Sequence, residues 1–337
     1  MSSETWKQML DASYVNPELA ELLRTGGPVV SLDASTDIQA LRHTLLEKKR
    51  AMTAAAAPST SDVEETDHDI PTRDGASIVV RTYRPRRGKP GPVLVILHGG
   101  GWVLGGLDNE ALLCRTWAEK FYGVAVNVDY RLAPEFKFPI AVFDCYDAVR
   151  WVAANPHVYG GDLSKGFIVG GVSAGANMAT TVTHLARDDT MFPSITGCWL
   201  SIPSLLAPTV VPERYKKDYL SREQNKDAPI LNSGALALFR KLYEDDPASP
   251  LMSPVLFPSH KDLPPAYFQI AGMDPLRDEG LIYERILREE MGIRTRMDLY
   301  PGLPHGFSSW WPRAAFSKKQ REDGVEGLHW LLCSRPE

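Results

Sequence analysis

The stretch FIVGGVSAGANMATTVTHLAR, residues 167–187, decides the fold of this 337-residue chain. It begins with a nearly continuous apolar run, 167–171, which is typical of a strand covered on both faces. The tract GVSAG (171–175) follows directly and opens a segment of helical composition. A strand that turns sharply into a helix at a serine between glycines predicts a strained elbow with an exposed hydroxyl on Ser173. The alternative interpretation is a glycine-rich turn with a bystander serine.

Strands and helices alternate on either side of this elbow. Further β-rich runs lie at 77–83, 92–97, 124–129, 197–202, 266–271 and 295–300. Helical stretches separate most of them, at 109–121, 139–154, 174–187, 278–291 and 319–333. This alternation predicts an α/β fold with one mostly parallel central sheet and helices on both faces.

Two parts of the chain do not fit the alternation. Residues 1–57 carry leucines at helical spacing and lead into a linker-like stretch at 53–62. Residues 203–265 hold ten prolines, one clear helical segment (233–245) and no predicted strand, which is too long for an ordinary loop. We expect a single domain over 1–337, with a helical lid formed by the N-terminal segment 1–60 and the insertion 203–265.

A second glycine-rich motif, HGGGW at 98–102, follows the apolar run at 92–97. Three consecutive glycines after a buried strand leave backbone N–H groups unobstructed, as an oxyanion hole requires. The amide of Ala174, the residue after the elbow serine, opens the helix and is a further expected donor.

The two motifs together resemble the hormone-sensitive-lipase-like family of α/β-hydrolases. The resemblance extends to DYRLAPE (129–135), to Phe138-Pro139 and to DPLRD (274–278), and it covers roughly residues 75–333. It implies the α/β-hydrolase fold, carboxylesterase or lipase-like activity, and an oxyanion hole from the amides of Gly100, Gly101 and Ala174. It implies no cofactor and no metal.

The chain departs from many family members at two positions of the elbow. Val172 stands where they have Asp, and Ala176 stands where they have Gly. Neither position supplies the nucleophile or its base. The departure therefore bears on hydrogen bonding behind the elbow and on substrate preference, and hydrolysis itself is still expected.

A nucleophilic serine needs a base and an acid that orients the base. His305 follows the last predicted strand, so it lies at the carboxyl edge of the sheet and is the predicted base. Asp274 follows the strand before, while Asp278 and Glu279 are rivals for the acid on spacing alone. The family pattern favours Asp274, which gives the chain order Ser173, Asp274, His305 of α/β-hydrolases.

Two tryptophans are candidate substrate contacts. Trp102 ends the HGGGW motif, and Trp310 follows the predicted base by five positions. Trp310 and the adjacent Trp311 could wall an acyl pocket. Aromatic packing in the core or lid is an equally good interpretation of Trp310.

Composition narrows the classes of partner. With 37 basic and 42 acidic residues the net charge is −5, whereas a chain that neutralises many phosphates should be basic. We therefore expect no nucleic-acid partner. We see no signal peptide and no apolar run long enough to cross a bilayer, and the four scattered cysteines suit reduced thiols. We expect a cytoplasmic protein. The sequence leaves open whether it forms a homodimer.

Three functional hypotheses follow. The first is a serine hydrolase that cleaves a small-molecule carboxylic ester through a Ser-His-Asp triad and an acyl-enzyme. The second keeps the triad in a dedicated thioesterase, lactonase or acyl-transfer enzyme of secondary metabolism. The third, disfavoured because His305 is present, is a non-catalytic ligand-binding protein on the same scaffold.

Overall fold

The computed structural model describes residues 3–26, 29, 32, 33, 35–55 and 62–334. Its centre is an eight-stranded sheet in the order β1-β2-β4-β3-β5-β6-β7-β8. The strands are β1 Val63–Pro71, β2 Ser77–Pro85, β3 Val93–Leu97, β4 Val124–Asp129, β5 Phe167–Val172, β6 Gly197–Ser201, β7 Ala266–Met273 and β8 Thr295–Pro304. Strands β3 to β8 pair in parallel, and β2 is antiparallel to both β1 and β4. The predicted α/β fold with a mostly parallel sheet is confirmed.

Twelve α-helices accompany the sheet within the described part of the chain. They are α1 Ser3–Leu10, α2 Pro17–Gly26, α3 Ile38–Ala55, α4 Ala111–Phe121, α5 Ile140–Ala154, α6 Pro156–Tyr159, α7 Ala174–Asp188, α8 Ser221–Gln224, α9 Ser233–Tyr243, α10 Arg277–Arg285, α11 Phe307–Trp310 and α12 Ala315–Cys333. A π-helical turn, Ile286–Glu290, continues α10. No helix among these described residues is long and apolar enough to cross a membrane.

Both faces of the sheet are covered by helices, as predicted. Successive side chains of a strand point to opposite faces, and β3 shows this directly. Its Val93, Val95 and Leu97 belong to an apolar cluster with α5, α7 and α10. Its Leu94 and Ile96 belong to a second cluster with α4 and α12. The sheet is therefore the middle of three layers, and its carboxyl edge lies between two sets of helices.

The first strand was not predicted. β1 has the polar sequence VEETDHDIP, in which only Val63 and Ile70 are buried. It lies at the edge of the sheet and pairs only with β2. An edge strand with so few buried side chains lacks the apolar run or the clean alternation on which strand prediction depends.

The two segments outside the sheet contain helices and no strand in their described residues. The N-terminal segment holds α1, α2 and α3, and the predicted linker at 53–62 falls largely on residues 56–61, outside the described part of the chain. The insertion 203–265 contains α8, α9 and three short 3-10 turns, with no strand. The predicted helix at 233–245 is α9. That the N-terminal segment and the insertion together form a lid stays a prediction.

Candidate active site

The turn from β5 into α7 is a tight elbow at Ser173. Ser173 has φ 55° and ψ −116°, a left-handed conformation that is rare for a residue with a side chain. A Cβ atom on Gly171 would lie 2.3 Å from the backbone of Gly175, and one on Gly175 would lie 1.9 Å from the carbonyl oxygen of Leu97. Both flanking glycines are therefore required by close backbone approach, as the sequence predicts.

The structure brings together the three residues predicted for the triad. The Nε2 atom of His305 lies 2.8 Å from the Oγ of Ser173, and its Nδ1 lies 2.7 Å from Oδ2 of Asp274. Asp274 and His305 are buried, whereas Ser173 is partly exposed. The hydroxyl, imidazole and carboxylate thus form one hydrogen-bonded chain that leads from a buried charge to an accessible oxygen.

The loop after β7 holds Asp274 in place. Its Oδ1 accepts a hydrogen bond from the amide of Leu276 at 2.8 Å. Asn225, from the insertion, donates its Nδ2–H to the backbone carbonyl of Asp274 at 3.0 Å. One carboxylate oxygen is thereby fixed by the loop itself, and the other is left to accept from His305.

The two rival acids have other partners. Asp278 Oδ2 accepts from the amides of Leu220 and Ser221, both at 2.6 Å. Glu279 Oε2 accepts from the amides of Leu205 and Leu206, at 2.8 and 3.1 Å. Both carboxylates bind backbone of the insertion. Spacing alone could not separate them from Asp274, and of the three carboxylates it is Asp274 that bonds the His305 ring.

The loop after β3 carries the predicted oxyanion-hole amides. Gly100 has φ +131° and Gly101 has φ +62°, and the Gly100 carbonyl accepts from the amide of Leu104 at 2.8 Å. A Cβ on Gly100 would lie 2.0 Å from the Leu104 oxygen, and one on Gly101 would lie 2.5 Å from the ring of Phe239 on α9. The third predicted donor, Ala174, is the first residue of α7, whose N-terminus carries positive partial charge.

His98 and Tyr130 contact each other at the start of this loop. Their rings stack with centroids 4.1 Å apart, and the Tyr130 hydroxyl donates to the His98 carbonyl at 2.8 Å. Burial raises the pKa of Tyr130 well above its ordinary value, so the hydroxyl keeps the proton that it donates. The two side chains therefore support the start of this loop.

The two candidate substrate contacts lie in different surroundings. Trp102 is 5% exposed and stacks on Tyr243 of α9, with ring centroids 5.0 Å apart. Trp310 ends α11 and is 38% exposed. Trp102 therefore packs the oxyanion-hole loop against the insertion, and a substrate contact by either ring stays a prediction.

Other supporting residues were missed in the sequence. Asn177, one turn into α7, donates from Nδ2 to the carbonyls of Ser204 and Met252 in the insertion, at 2.8 and 2.7 Å. Arg42 of α3 donates to the carbonyl of Val103 at 2.8 Å and pairs with Glu135 at 2.8 Å. No local pattern marks these contacts, because each joins residues that are far apart in the chain.

No group of three or more His, Cys, Asp or Glu side chains suited to hold a metal ion occurs within the described ranges. The chemistry that the arrangement offers is a hydroxyl in line with a base and an acid, beside amides that can stabilise an oxyanion.

Comparison with known proteins identifies the family to which this fold belongs. A family model described as the α/β-hydrolase fold matches residues 94–309, which span β3 to α11 and contain the Ser173–His305–Asp274 chain. The chain is a member of the hormone-sensitive-lipase-like family of α/β-hydrolases.

Similar proteins span nearly the whole chain. An α/β-hydrolase superfamily protein of Schizosaccharomyces pombe is 37% identical over 94% of both chains. The versiconal hemiacetal acetate esterase of Dothistroma septosporum is 34% identical over 92% of both. The solved structure of vibralactone cyclase is 35% identical, with a TM-score of 0.89 over 97% of both. Other relatives are named esterases and carboxylic ester hydrolases, and this family member is accordingly an ester hydrolase.

Proposed function

We propose that this hydrolase cleaves carboxylic esters through Ser173, His305 and Asp274 with an acyl-enzyme intermediate. The observation that carries the proposal is the pair of hydrogen bonds made by the His305 ring, 2.8 Å to Ser173 and 2.7 Å to Asp274. With Nδ1–H donated to Asp274, Nε2 is the nitrogen left free to accept the serine proton.

In the first step the Ser173 Oγ attacks the ester carbonyl carbon while its proton passes to Nε2 of His305. Asp274 stabilises the imidazolium that forms. The carbonyl oxygen becomes an oxyanion, which accepts hydrogen bonds from the amides of Gly100, Gly101 and Ala174. The tetrahedral intermediate collapses, and the alcohol leaves with the proton from His305.

In the second step water replaces the alcohol. His305 takes a proton from the water as its oxygen attacks the acyl-enzyme, and the carboxylic acid leaves as Ser173 recovers its proton. The same three amides stabilise the second oxyanion. The residues of the chain suffice for both steps.

The decisive experiment is Ser173→Ala, assayed on p-nitrophenyl esters of increasing acyl length. We expect kcat to fall by about 10⁴–10⁶, because the oxyanion hole alone retains only residual catalysis. Ser194→Ala, at an exposed serine, is the matched control. A fluorophosphonate should label wild-type Ser173, seen as one mass adduct on its peptide. Retention of a tenth of wild-type activity in Ser173→Ala would remove this serine from the mechanism.

A second candidate is lactone formation from the same acyl-enzyme. The likeness to vibralactone cyclase over 97% of both chains favours it. A hydroxyl within the acyl group would then replace water as the attacking nucleophile, giving up its proton to His305 and releasing a lactone. A p-nitrophenyl ester of a hydroxy acid separates the two candidates, because the product identified by mass spectrometry is either the lactone or the free hydroxy acid.

A further inference from the structure

Strand β8 leaves its regular pairing with β7 shortly before the end of both strands. Ala271 pairs with Tyr300 and Met273 pairs with Pro304, so Gly272 alone faces three residues of β8. A bulge of this kind takes residues out of the ladder, and their backbone N–H and C=O groups need other partners.

The register after the bulge sets the distance between acid and base. The pair that closes it, Met273 and Pro304, is followed directly along each strand by Asp274 and His305. A different number of bulged residues would slide the imidazole along the strand relative to the carboxylate. The 2.7 Å bond between Nδ1 and Oδ2 therefore depends on how the bulge is held.

The N-terminal segment supplies the missing backbone partners. The Gly302 amide, within the bulge, donates to the Ala12 carbonyl at 2.9 Å, and the Gly302 carbonyl accepts from the Asn16 amide at 3.0 Å. The Ala12 oxygen also covers the other strand, since a Cβ on Gly272 would lie 2.5 Å from it. Residues 12–16, here called the N-terminal clamp, thus contact the ends of both β7 and β8.

A buried arginine ties the clamp to the loop that carries the acid. Arg277 donates from Nη1 to the Oγ of Ser13 at 2.7 Å and to the Gly272 carbonyl at 3.0 Å. Ala12 is 2% exposed, whereas the next-but-one residue, Tyr14, is 60% exposed. The clamp is accordingly a surface segment that is held by its backbone and by Ser13, while its larger side chain points to solvent.

We propose that the N-terminal clamp is a positioning device for the acid and the base, which fixes the β8 bulge so that His305 meets Asp274. The inference rests on the proposed function, because it assigns the clamp to the Ser173 mechanism. It differs from the expected lid role of the N-terminal segment, since a lid shapes substrate binding whereas the clamp acts on turnover. Displacement of a catalytic group by about 1 Å costs on the order of 100-fold in rate.

The main test is Gly302→Ala with Gly292→Ala as its control. Both glycines have nearly the same positive φ, +72° and +68°. A Cβ on Gly302 would lie 2.3 Å from the Tyr14 oxygen and 2.6 Å from the Asn16 nitrogen, whereas one on Gly292 meets nothing within 4 Å. Gly292→Ala therefore places alanine at a similarly unfavourable positive φ but does not displace the clamp.

We expect Gly302→Ala to lower kcat by about 10- to 100-fold with KM within about twofold of wild type. The rate of fluorophosphonate labelling should fall in parallel, and Gly292→Ala should behave as wild type. A kcat within twofold of wild type in folded Gly302→Ala overturns the inference. So does a loss confined to KM, because that is the mark of a lid.

Two deletions keep the inference testable if Gly302→Ala does not fold. Deletion of 2–11 leaves the clamp in place, and deletion of 2–16 removes it. We expect the longer deletion to lose at least about tenfold more kcat than the shorter one. Equal kcat values in the two deletions overturn the inference.

Failure of the proposed function gives a different pattern. If Ser173 is not the nucleophile, fluorophosphonate does not label the Ser173 peptide of the wild type, and Ser173→Ala keeps its activity. If only the inference about the clamp is wrong, the wild type is labelled and active and Ser173→Ala is inactive. In that case Gly302→Ala has the same kcat as Gly292→Ala.

Discussion

On one side of the site, at Ser173 and at Gly100 in the oxyanion-hole loop, backbone lies in close contact with backbone. A Cβ on Gly175 would meet the Leu97 oxygen, and one on Gly100 would meet the Leu104 oxygen. Asp274 and its loop, on the other side, are held by side chains and segments from far along the chain. Asn225 bonds the Asp274 carbonyl, and the clamp residues 12–16 bond the strand that leads to His305.

The two kinds of support differ in how they can fail. Close backbone approach is a steric condition that any added carbon atom violates, so the first side should be sensitive to single small substitutions. The second side depends on hydrogen bonds and buried charges between separate segments. Its stability should fall when a hydrogen-bond partner or a buried charge is removed, and it should depend on pH.

Gly100→Ala tests the steric side and should give the largest loss of activity in this comparison of the two sides. The new Cβ would lie 2.0 Å from a backbone oxygen, so the loop must move and the oxyanion loses a donor. We expect kcat/KM to fall by about 10²–10³. Gly88→Ala is the control, because Gly88 has φ +123°, close to the +131° of Gly100, and a Cβ there meets nothing within 4 Å.

Full activity in a folded Gly100→Ala protein would mean that the oxyanion does not need the Gly100 amide in its observed position. In that case the oxyanion-hole assignment is wrong, and the contrast between the two sides of the site disappears.

Asp278→Asn tests the side held by charges, and its expected effect is on stability. The Arg277 guanidinium is buried and pairs with Asp278 at 2.8 Å. Removing the carboxylate charge leaves a buried cation without its partner, which costs about 3–5 kcal/mol of unfolding free energy. Urea denaturation followed by circular dichroism measures the change.

The exposed pair of Glu223 and Lys226 provides the comparison for this experiment. Glu223→Gln should change the unfolding free energy by less than about 1 kcal/mol, because surface ion pairs contribute little. Equal urea midpoints for Asp278→Asn and Glu223→Gln would show that the charge of the Asp278 carboxylate does not stabilise the fold.

The smallest effect concerns a histidine pair that joins α7, the helix after Ser173, to the insertion. His184 of α7 lies 3.0 Å, Nε2 to Nδ1, from His260 at the end of the insertion, and its own Nδ1 donates to the Thr180 carbonyl at 2.9 Å. Burial is the main cause that lowers the pKa of His184 to about 3. Burial also lowers the pKa of His260. Both rings are therefore neutral in the folded protein at neutral pH.

Acid should weaken this junction. In the unfolded chain a histidine takes up a proton near pH 6.5, whereas His184 stays neutral in the folded state until about pH 3. The stabilisation is complete above pH 6.5 and is lost as pH falls below it, by about 2 kcal/mol between pH 7 and pH 5. Urea midpoints at those two pH values measure the loss.

His184→Phe should flatten this pH dependence, because the titrating ring is gone while an aromatic ring still faces Phe257, on which His184 stacks. His157→Gln, at an exposed position, should leave the dependence unchanged. An unaltered slope in His184→Phe would show that the pair does not couple folding to pH.

The contrast between the two sides also explains what the sequence could predict. The elbow at Ser173 and the loop at Gly100 are predictable because steric need appears locally as glycine. Asp274 could not be separated from Asp278 by spacing, since the difference lies in partners more than fifty positions away. The β8 bulge left no local pattern either, because residues 12–16 hold it.

The hydrogen bond between Ser13 and Arg277 joins residues that lie 264 positions apart in the chain, so it can form only late in translation. The N-terminal residues leave the ribosome first, yet their partners at the strand ends are translated near the end. At about 5–20 residues per second the clamp waits on the order of 15–60 s for them. A nascent or prematurely terminated chain therefore carries the Ser173 elbow and the glycine loop well before His305, the proposed base, has been translated. Competence for catalysis arrives late, when the first residues of the chain bind the last strand.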